Sequence, residues 1–341
     1  MMNETRLLKE ITSFLCNEVK PHANVIDSNT EEMKKLLFSF RDQGFFRIYA
    51  PNEFGGVMLS RASKIQFEID AGRCSGAFSF LQAQTATASW IIQKSPKSEL
   101  KEEVIKKIAV GKIMLGNSVS HLNPKKPEIL KGEKCKNGYI ITGKIHFASG
   151  WNLFDLIVIG FHTKNNNEVF ALIPFNESEL NSSLTVSAAL DVISMLSLNT
   201  VSLEFNDYFI PESNVVCAWK KGTFFDAYKK FPVYAYPLGA AVEALSLVND
   251  KSCFSHNKTD FENKIFFLKQ ELESENQSVS PITLFSELIY VSSACVQYGI
   301  LNSGGFGLLK QSSLQRLYRE IPIWFVPRAY PETIEQWANL V

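Results

Sequence analysis

The spacing of hydrophobic residues in this chain changes period twice, and few architectures accommodate that. Up to about residue 110 the period is helical. Leu7, Leu8, Ile11, Phe14 and Leu15 share one face, and Met33, Leu36, Leu37 and Phe40 continue the pattern. Gly44 then supplies a helix stop, Ser60 caps a helix expected over 62–71, and another is expected over 78–93. From Ile113 the period becomes that of strands. Tyr139 to Thr142 alternates after an Asn137-Gly138 turn pair, and Leu153 to Gly160 is a near-continuous apolar run suited to a strand covered on both faces. With a strand opening at Ile113 and others at 169–174, 184–188 and 198–205 these make six candidate strands, the spacing of a barrel or sandwich. After Gly222 a helical stripe returns through Phe224, Tyr228, Phe231, Ala235 and Leu238, interrupted by Pro232 and Pro237. Helical candidates near 260–273, 282–301 and 308–320 follow. The expected fold class is α+β: an N-terminal helical domain (1–111), a central antiparallel β-barrel or sandwich (112–218) and a C-terminal helical bundle (219–341).

Several domains suit a chain of 341 residues, which exceeds one ordinary core. Lys plus Arg and Asp plus Glu both number 35, giving zero net charge. Without a basic tract there is no electrostatic reason to expect nucleic acid as a partner, and near-zero charge offers little resistance to self-association. The six cysteines are scattered with no C-x-x-C pair, and the five histidines show neither H-x-H nor H-x-x-x-H spacing. A zinc site, a disulfide scaffold and a metal enzyme are therefore not expected. The N-terminal MMNETRLLKEITSFL has no continuous apolar core of a signal peptide, and no run of about 18 apolar residues suggests a membrane span. A cytoplasmic protein with reduced thiols is the expectation.

Local motifs narrow the architecture further. Arg41 to Phe46 followed by Pro51-Asn52-Glu53-Phe54-Gly55-Gly56 and Leu59-Ser60 resembles the entry motif of the acyl-CoA dehydrogenase family. Gly138-Tyr139 through Gly143, then His146-Phe147-Ala148-Ser149-Gly150-Trp151, resembles that family's central-domain segment. Val201 to Pro211 is similar to its domain-closing strand, and Gly239 to Leu245 to the first helix of its C-terminal bundle. Gly304-Gly305-Phe306-Gly307 with Leu314 to Glu320 resembles a further motif. The matches fall in the family's order over residues 41–320.

The resemblance implies FAD between the β-domain and the C-terminal bundle, partly completed by a neighbouring subunit of a homodimer or homotetramer. It implies cofactor contacts from Ser118, Ser120, Phe147, Ser149, Gly304 and Gly305, and a small-molecule substrate such as acyl-CoA. Ser149 matches the residue whose hydroxyl and amide address the flavin, and Phe147 the aromatic that covers the ring. Read without the resemblance, these two are a Ser-Gly turn at a strand end and a buried Phe. Ser118 and Ser120 alternate onto one face if the strand continues through them.

The chain also departs from the family pattern. Leu122 to Pro127 replaces a run of small residues; Lys125 and Lys126 there pair with phosphate or are solvated. His121 stands where the family has Glu and reads as structural. The stretch 249–258 lacks the family's Arg-x-x-Phe-Gly, and Leu301 replaces a glutamine. The position of the catalytic glutamate is Arg328, whose guanidinium stays protonated and cannot take an α-proton. Glu243, Glu287, Glu332 and Glu335 are the other carboxylates considered. The expected function is that of an FAD-dependent, acyl-CoA dehydrogenase-like oxidoreductase. The alternatives are a reduced-flavin-dependent monooxygenase on the same fold and a non-catalytic partner subunit.

Overall fold

The computed structural model describes residues 4–123, 127–230, 234–248, 255–326 and 331–340. Helix α1 (Glu4–Phe14) buries Leu7, Ile11 and Phe14, as their spacing predicts, and leads through two irregular turns into the short α2 (Ala23–Ile26). Helix α3 (Thr30–Asp42) begins at Asn29, whose side chain accepts from the Glu32 amide, and is closed by Gly44 in the left-handed region. Helices α4 (Arg61–Cys74) and α5 (Gly76–Gln93) start at Ser60 and Ser75, each hydroxyl accepting an amide of the first turn. Helix α6 (Ser98–Ala109) completes this domain. At its centre Phe14, Phe40 and Phe45 meet edge to face, with ring centroids 5.1 to 5.8 Å apart.

Eight strands follow in one sheet. They are β1 (Leu115–Ser118), β2 (Leu130–Cys135), β3 (Gly138–Ala148), β4 (Leu156–Thr163), β5 (Asn167–Pro174), β6 (Leu184–Val186), β7 (Val201–Pro211) and β8 (Val215–Lys220). The order is β6-β7-β3-β2-β4-β5-β8, with β1 also beside β4. Strands β2 and β8 go beyond the sequence expectation. Lys131, Glu133 and Lys134 on β2 leave too little apolar sequence to read, although Leu130 and Gly132 are buried and the strand pairs with β3. Strand β8 carries the sheet to Lys220, past the expected limit at 218. The β2–β3 turn is Lys136-Asn137, one residue earlier than expected, because Gly138 already pairs with Cys135. A side chain at 138 would meet the Ile210 carbonyl oxygen at 2.0 Å. The sheet is also mixed where antiparallel pairing was expected. Strand β4 has β5 antiparallel on one edge, and β1 and then β2 parallel on the other. The β2–β3 hairpin lies between β1 and β4 in sequence, which gives the chain room for a parallel return.

The C-terminal bundle comprises α7 (Thr223–Lys230), α8 (Tyr236–Ser246), α9 (Ser255–Glu273), α10 (Pro281–Ser303), α11 (Ser313–Phe325) and α12 (Pro331–Ala338). Pro237 sits in the first turn of α8, where a missing N–H costs nothing, so the stripe from 224 becomes two helices. Helix α12 was not anticipated from sequence. The segment Pro281–Leu308 has the length and apolar composition of a membrane-crossing helix, but 61% of its most apolar stretch is buried inside the protein. It packs against α8, α11 and α12 as the bundle's core helix.

Candidate functional site

Three of the four sequence-predicted residues of the β-domain, Ser118, Phe147 and Ser149, converge at the end of β3. Ile145 pairs with Leu203 of β7 and Ala148 with Val201, so His146 and Phe147 together oppose Ser202 alone. Two residues facing one is a β-bulge, and it breaks the alternation of the strand: both His146 and Phe147 point outward. Phe147 is 65% exposed, which excludes the buried-Phe reading. The Ser118 hydroxyl at the end of β1 donates to the Phe147 carbonyl at 3.1 Å. The Ser149 hydroxyl lies 2.9 Å from that of Thr200. Ser118, Phe147 and Ser149 thus lie together, and Thr200 lies beside them although the motifs did not mark it.

Two glycines make this closeness sterically possible. A β-carbon at Gly116 would lie 2.4 Å from the Phe154 ring, and one at Gly150 2.2 Å from it. The ring therefore fills the space that side chains at 116 and 150 would need, drawing β1 towards the end of β3. Gly150 also has φ 95, a conformation that favours glycine. Beyond it, the Asn199 side chain donates to the Trp151 carbonyl at 2.8 Å, and the Trp151 amide donates to the Asn199 carbonyl at 3.3 Å.

The loop before Thr200 is anchored to both helical domains by Asp27. Its carboxylate accepts from the Met195 amide at 2.8 Å and from Arg319 Nη2 at 3.0 Å. One turn along α11, buried Arg316 and Glu320 pair, and Glu320 also accepts from the Gly76 amide at 3.2 Å. Burial pushes the Glu320 carboxyl up, and Arg316 opposes that shift. The Arg and Glu of the Leu314 to Glu320 motif thus have a structural task, holding α11 against the N-terminal helices.

Other expectations fare differently. Strand β1 ends at Ser118 and residues 120–122 form a tight turn, so Ser120 is exposed and does not continue a shared face with Ser118. The backbone leaves the extended region at Val119, with ψ −2, and this ends the alternation. Gly304 and Gly305 lie at the end of α10, open on every side and exposed. They belong to the helical bundle, and nothing joins them to Ser149 within one chain among the described contacts. Buried His121 sets its Nε2 2.7 Å from the Gly160 carbonyl oxygen, in keeping with a structural role. Lys125, Lys126 and Arg328 lie outside the described residues. Buried Glu243 is held by Lys20 at 2.7 Å and Arg73 at 3.7 Å. Glu332 and Glu335 are exposed on α12, and Glu287 is half-buried on α10.

Residues 2–112 match the family model of the acyl-CoA dehydrogenase N-terminal domain. The mitochondrial isovaleryl-CoA dehydrogenase of Arabidopsis thaliana is 23% identical over 236 residues, 66% of this chain and 57% of that protein. The aligned region therefore spans little more than half of that relative. An acyl-CoA dehydrogenase from Bacillus anthracis, solved in complex with FAD, superposes with a TM-score of 0.80 at 14% identity, covering 95% of this chain and 63% of that one. KijD3, solved in complex with FMN and dTDP-3-amino-2,3,6-trideoxy-4-keto-3-methyl-D-glucose, superposes with a TM-score of 0.78 at 14% identity, covering 99% and 93%.

Proposed function

We propose that this chain, which has the acyl-CoA dehydrogenase fold, is a flavin-dependent oxidoreductase that uses FAD and acts on an acyl thioester or a related small molecule. The observation that carries this reading is the bulge at His146-Phe147. It presents a large apolar ring to solvent from a strand end fastened by Ser118 on one side and by Ser149–Thr200 on the other. An exposed aromatic on so constrained a backbone suits the cover of another flat ring. The small side chains beside it leave room for close approach. These are residues that fit a flavin, and the complexes of the two fold neighbours with FAD and FMN support the reading.

A bound flavin would supply two-electron redox chemistry. The protein's part is to orient the ring. Phe147 would cover the ring, and the Ser149 hydroxyl, beside that of Thr200, would offer it a hydrogen bond. Gly304 and Gly305 would contribute from a second subunit of a homodimer or homotetramer, and their exposure at the end of α10 leaves them accessible to one. A reducing, cytoplasmic setting is part of the same proposal.

A second reading, a reduced-flavin-dependent monooxygenase, is favoured by the fold match to KijD3 over nearly the whole of both chains. It needs no carboxylate base, and none of the carboxylates considered is placed at the bulge. The deciding measurement is the visible absorption spectrum of the purified protein, with and without added FAD or FMN. A flavin spectrum that persists through gel filtration supports both readings, and oxygen-dependent product formation selects the second. A protein that binds neither flavin overturns both and leaves a partner-subunit role.

A further inference from the structure

On the other side of α5 from the candidate flavin site lies a cavity of about 190 Å³. The Asn117 side chain donates to the Gln84 carbonyl at 2.9 Å, so β1 lies beside that part of α5. Ala86, Ser89, Trp90 and Gln93 line the cavity at spacing i, i+3, i+4, i+7. At 3.6 residues per turn this stripe is centred roughly 180° around the helix from Gln84. Every lining residue comes from 48–93 except Tyr236 of α8. Ser118, Phe147 and Ser149 are not among them, so this is a separate site.

Its walls are unusually aromatic for so small a space: Tyr49, Phe67, Trp90 and Tyr236 contribute, with Ile48 and Leu59 beside them. Several of its polar groups are engaged. The Tyr49 hydroxyl donates to Gln82 Oε1 at 2.8 Å, and Gln93 Nε2 donates to the Tyr49 carbonyl at 3.4 Å. Glu68 accepts from the Ala235 amide at 2.7 Å, and Lys64 Nζ lies 3.9 Å from its other oxygen. Ser89 is not engaged. Its hydroxyl is buried and has no hydrogen-bond partner among the described residues. A buried hydroxyl left unpaired is unfavourable, so the site calls for a group that bonds to it.

We propose that this cavity binds a small uncharged aromatic molecule, a single ring whose hydroxyl or carbonyl oxygen hydrogen-bonds to Ser89. The volume fits that size, since an apolar cavity of about 150 Å³ holds benzene. The four aromatic walls offer edge-to-face and stacked contacts that an aliphatic chain cannot match. The Lys64–Glu68 pair cancels its own charge, so neither an acid nor an amine finds an unmatched partner. This inference goes beyond the flavin reading and does not depend on it.

The test is calorimetric titration of the full chain, without added flavin, using phenol and 4-methylphenol as probes. Hexanol, benzoate and benzylamine serve as controls. The expected result is one phenol per chain, with each control bound at least tenfold more weakly. Ala86→Phe fills the cavity and should abolish binding. Ser89→Ala keeps the shape and should weaken phenol by about two- to tenfold, the range of one hydrogen bond. If Ala86→Phe does not fold, as judged by circular dichroism, Ser89→Ala and the controls carry the test. The proposal is overturned if phenol does not bind, if Ser89→Ala leaves its affinity unchanged, if hexanol binds equally well, or if hexanoyl-CoA displaces phenol and so makes the cavity part of the acyl site. Because no flavin is present, failure of the flavin reading leaves this result standing.

Discussion

Arg316 and Glu320 close a buried ion pair one helical turn apart, with Nη1 of the arginine 3.0 Å from each carboxylate oxygen. The pair also spans domains, because Arg316 Nε donates to Asn24 at 3.0 Å and Glu320 accepts from Gly76 at the start of α5. Removing one partner strands the other charge in a low-dielectric site. Arg316→Met is therefore expected to cost about 3–5 kcal/mol in urea unfolding, whereas Arg316→Met with Glu320→Leu should cost much less. A single variant as stable as the parent would show that water reaches Glu320.

Ser149→Val tests the candidate flavin site. It removes the hydroxyl beside Thr200 at a stability cost of about 1 kcal/mol, with circular dichroism unchanged. The ratio of flavin to protein after desalting should fall, or the flavin absorption bands should shift. If content and spectrum both stay as in the parent, Ser149 is not part of the site.

Ordinary dehydrogenation of saturated acyl-CoA is expected to be slow or absent. That reaction needs a carboxylate within hydrogen-bond reach of the α-carbon. The family's position for it falls at Arg328, outside the described residues, and Glu243 is occupied by Lys20 and Arg73. The check is anaerobic mixing of the flavin-loaded protein with acyl-CoAs of varied chain length. Rapid bleaching by any of them would reveal a base elsewhere and restore the family's usual activity.

Self-association should run through the C-terminal bundle. Leu301 and Phe306 flank the Gly304-Gly305 pair at 80% and 81% exposure, apolar surface that a second copy would cover. Light scattering at micromolar concentration should give a dimer or tetramer. Leu301→Ser with Phe306→Ser should lower the mass, and a monomeric parent would refute the assignment.

Stability should fall on mild acidification, and His162 should account for part of the loss. Burial holds its imidazole below the ordinary value of 6.5, with Lys221 and Lys131 adding to the shift and Glu128 opposing it. Glu168 is the other carboxylate nearby, 3.8 Å from Nε2, and neither ring nitrogen has a hydrogen-bond partner among the described residues. Below pH 6.5 the unfolded chain takes up a proton that the folded site resists, so the loss grows as pH falls towards the lowered folded value. Urea midpoints at about pH 7.5 and about pH 5.5 should differ less in His162→Leu than in the parent. An equal acid loss in both proteins would assign the effect to other groups.

Much of the architecture is local information and was legible without the fold. Ser60, Gly44 and the face of Leu7, Ile11 and Phe14 act within one or two turns of backbone, so spacing and residue type determined those helices. The order of helices, strands and helices follows from the same short-range periods, and Phe147 and Ser149 could be singled out from neighbouring residues. What lay beyond the sequence depends on partners far along the chain. Strand β2 has only Leu130 and Gly132 to bury, and its place in the sheet is given by pairing with β3. His146 and Phe147 both face outward only because Ser202, more than 50 positions away, stands alone opposite them. Thr200 reaches Ser149, Asp27 reaches Arg319, and Tyr236 closes a cavity over α4 and α5 for the same reason. Hydrophobic period fixes which face of an element is buried, but register and side-chain direction across a contact are fixed only when the elements pack.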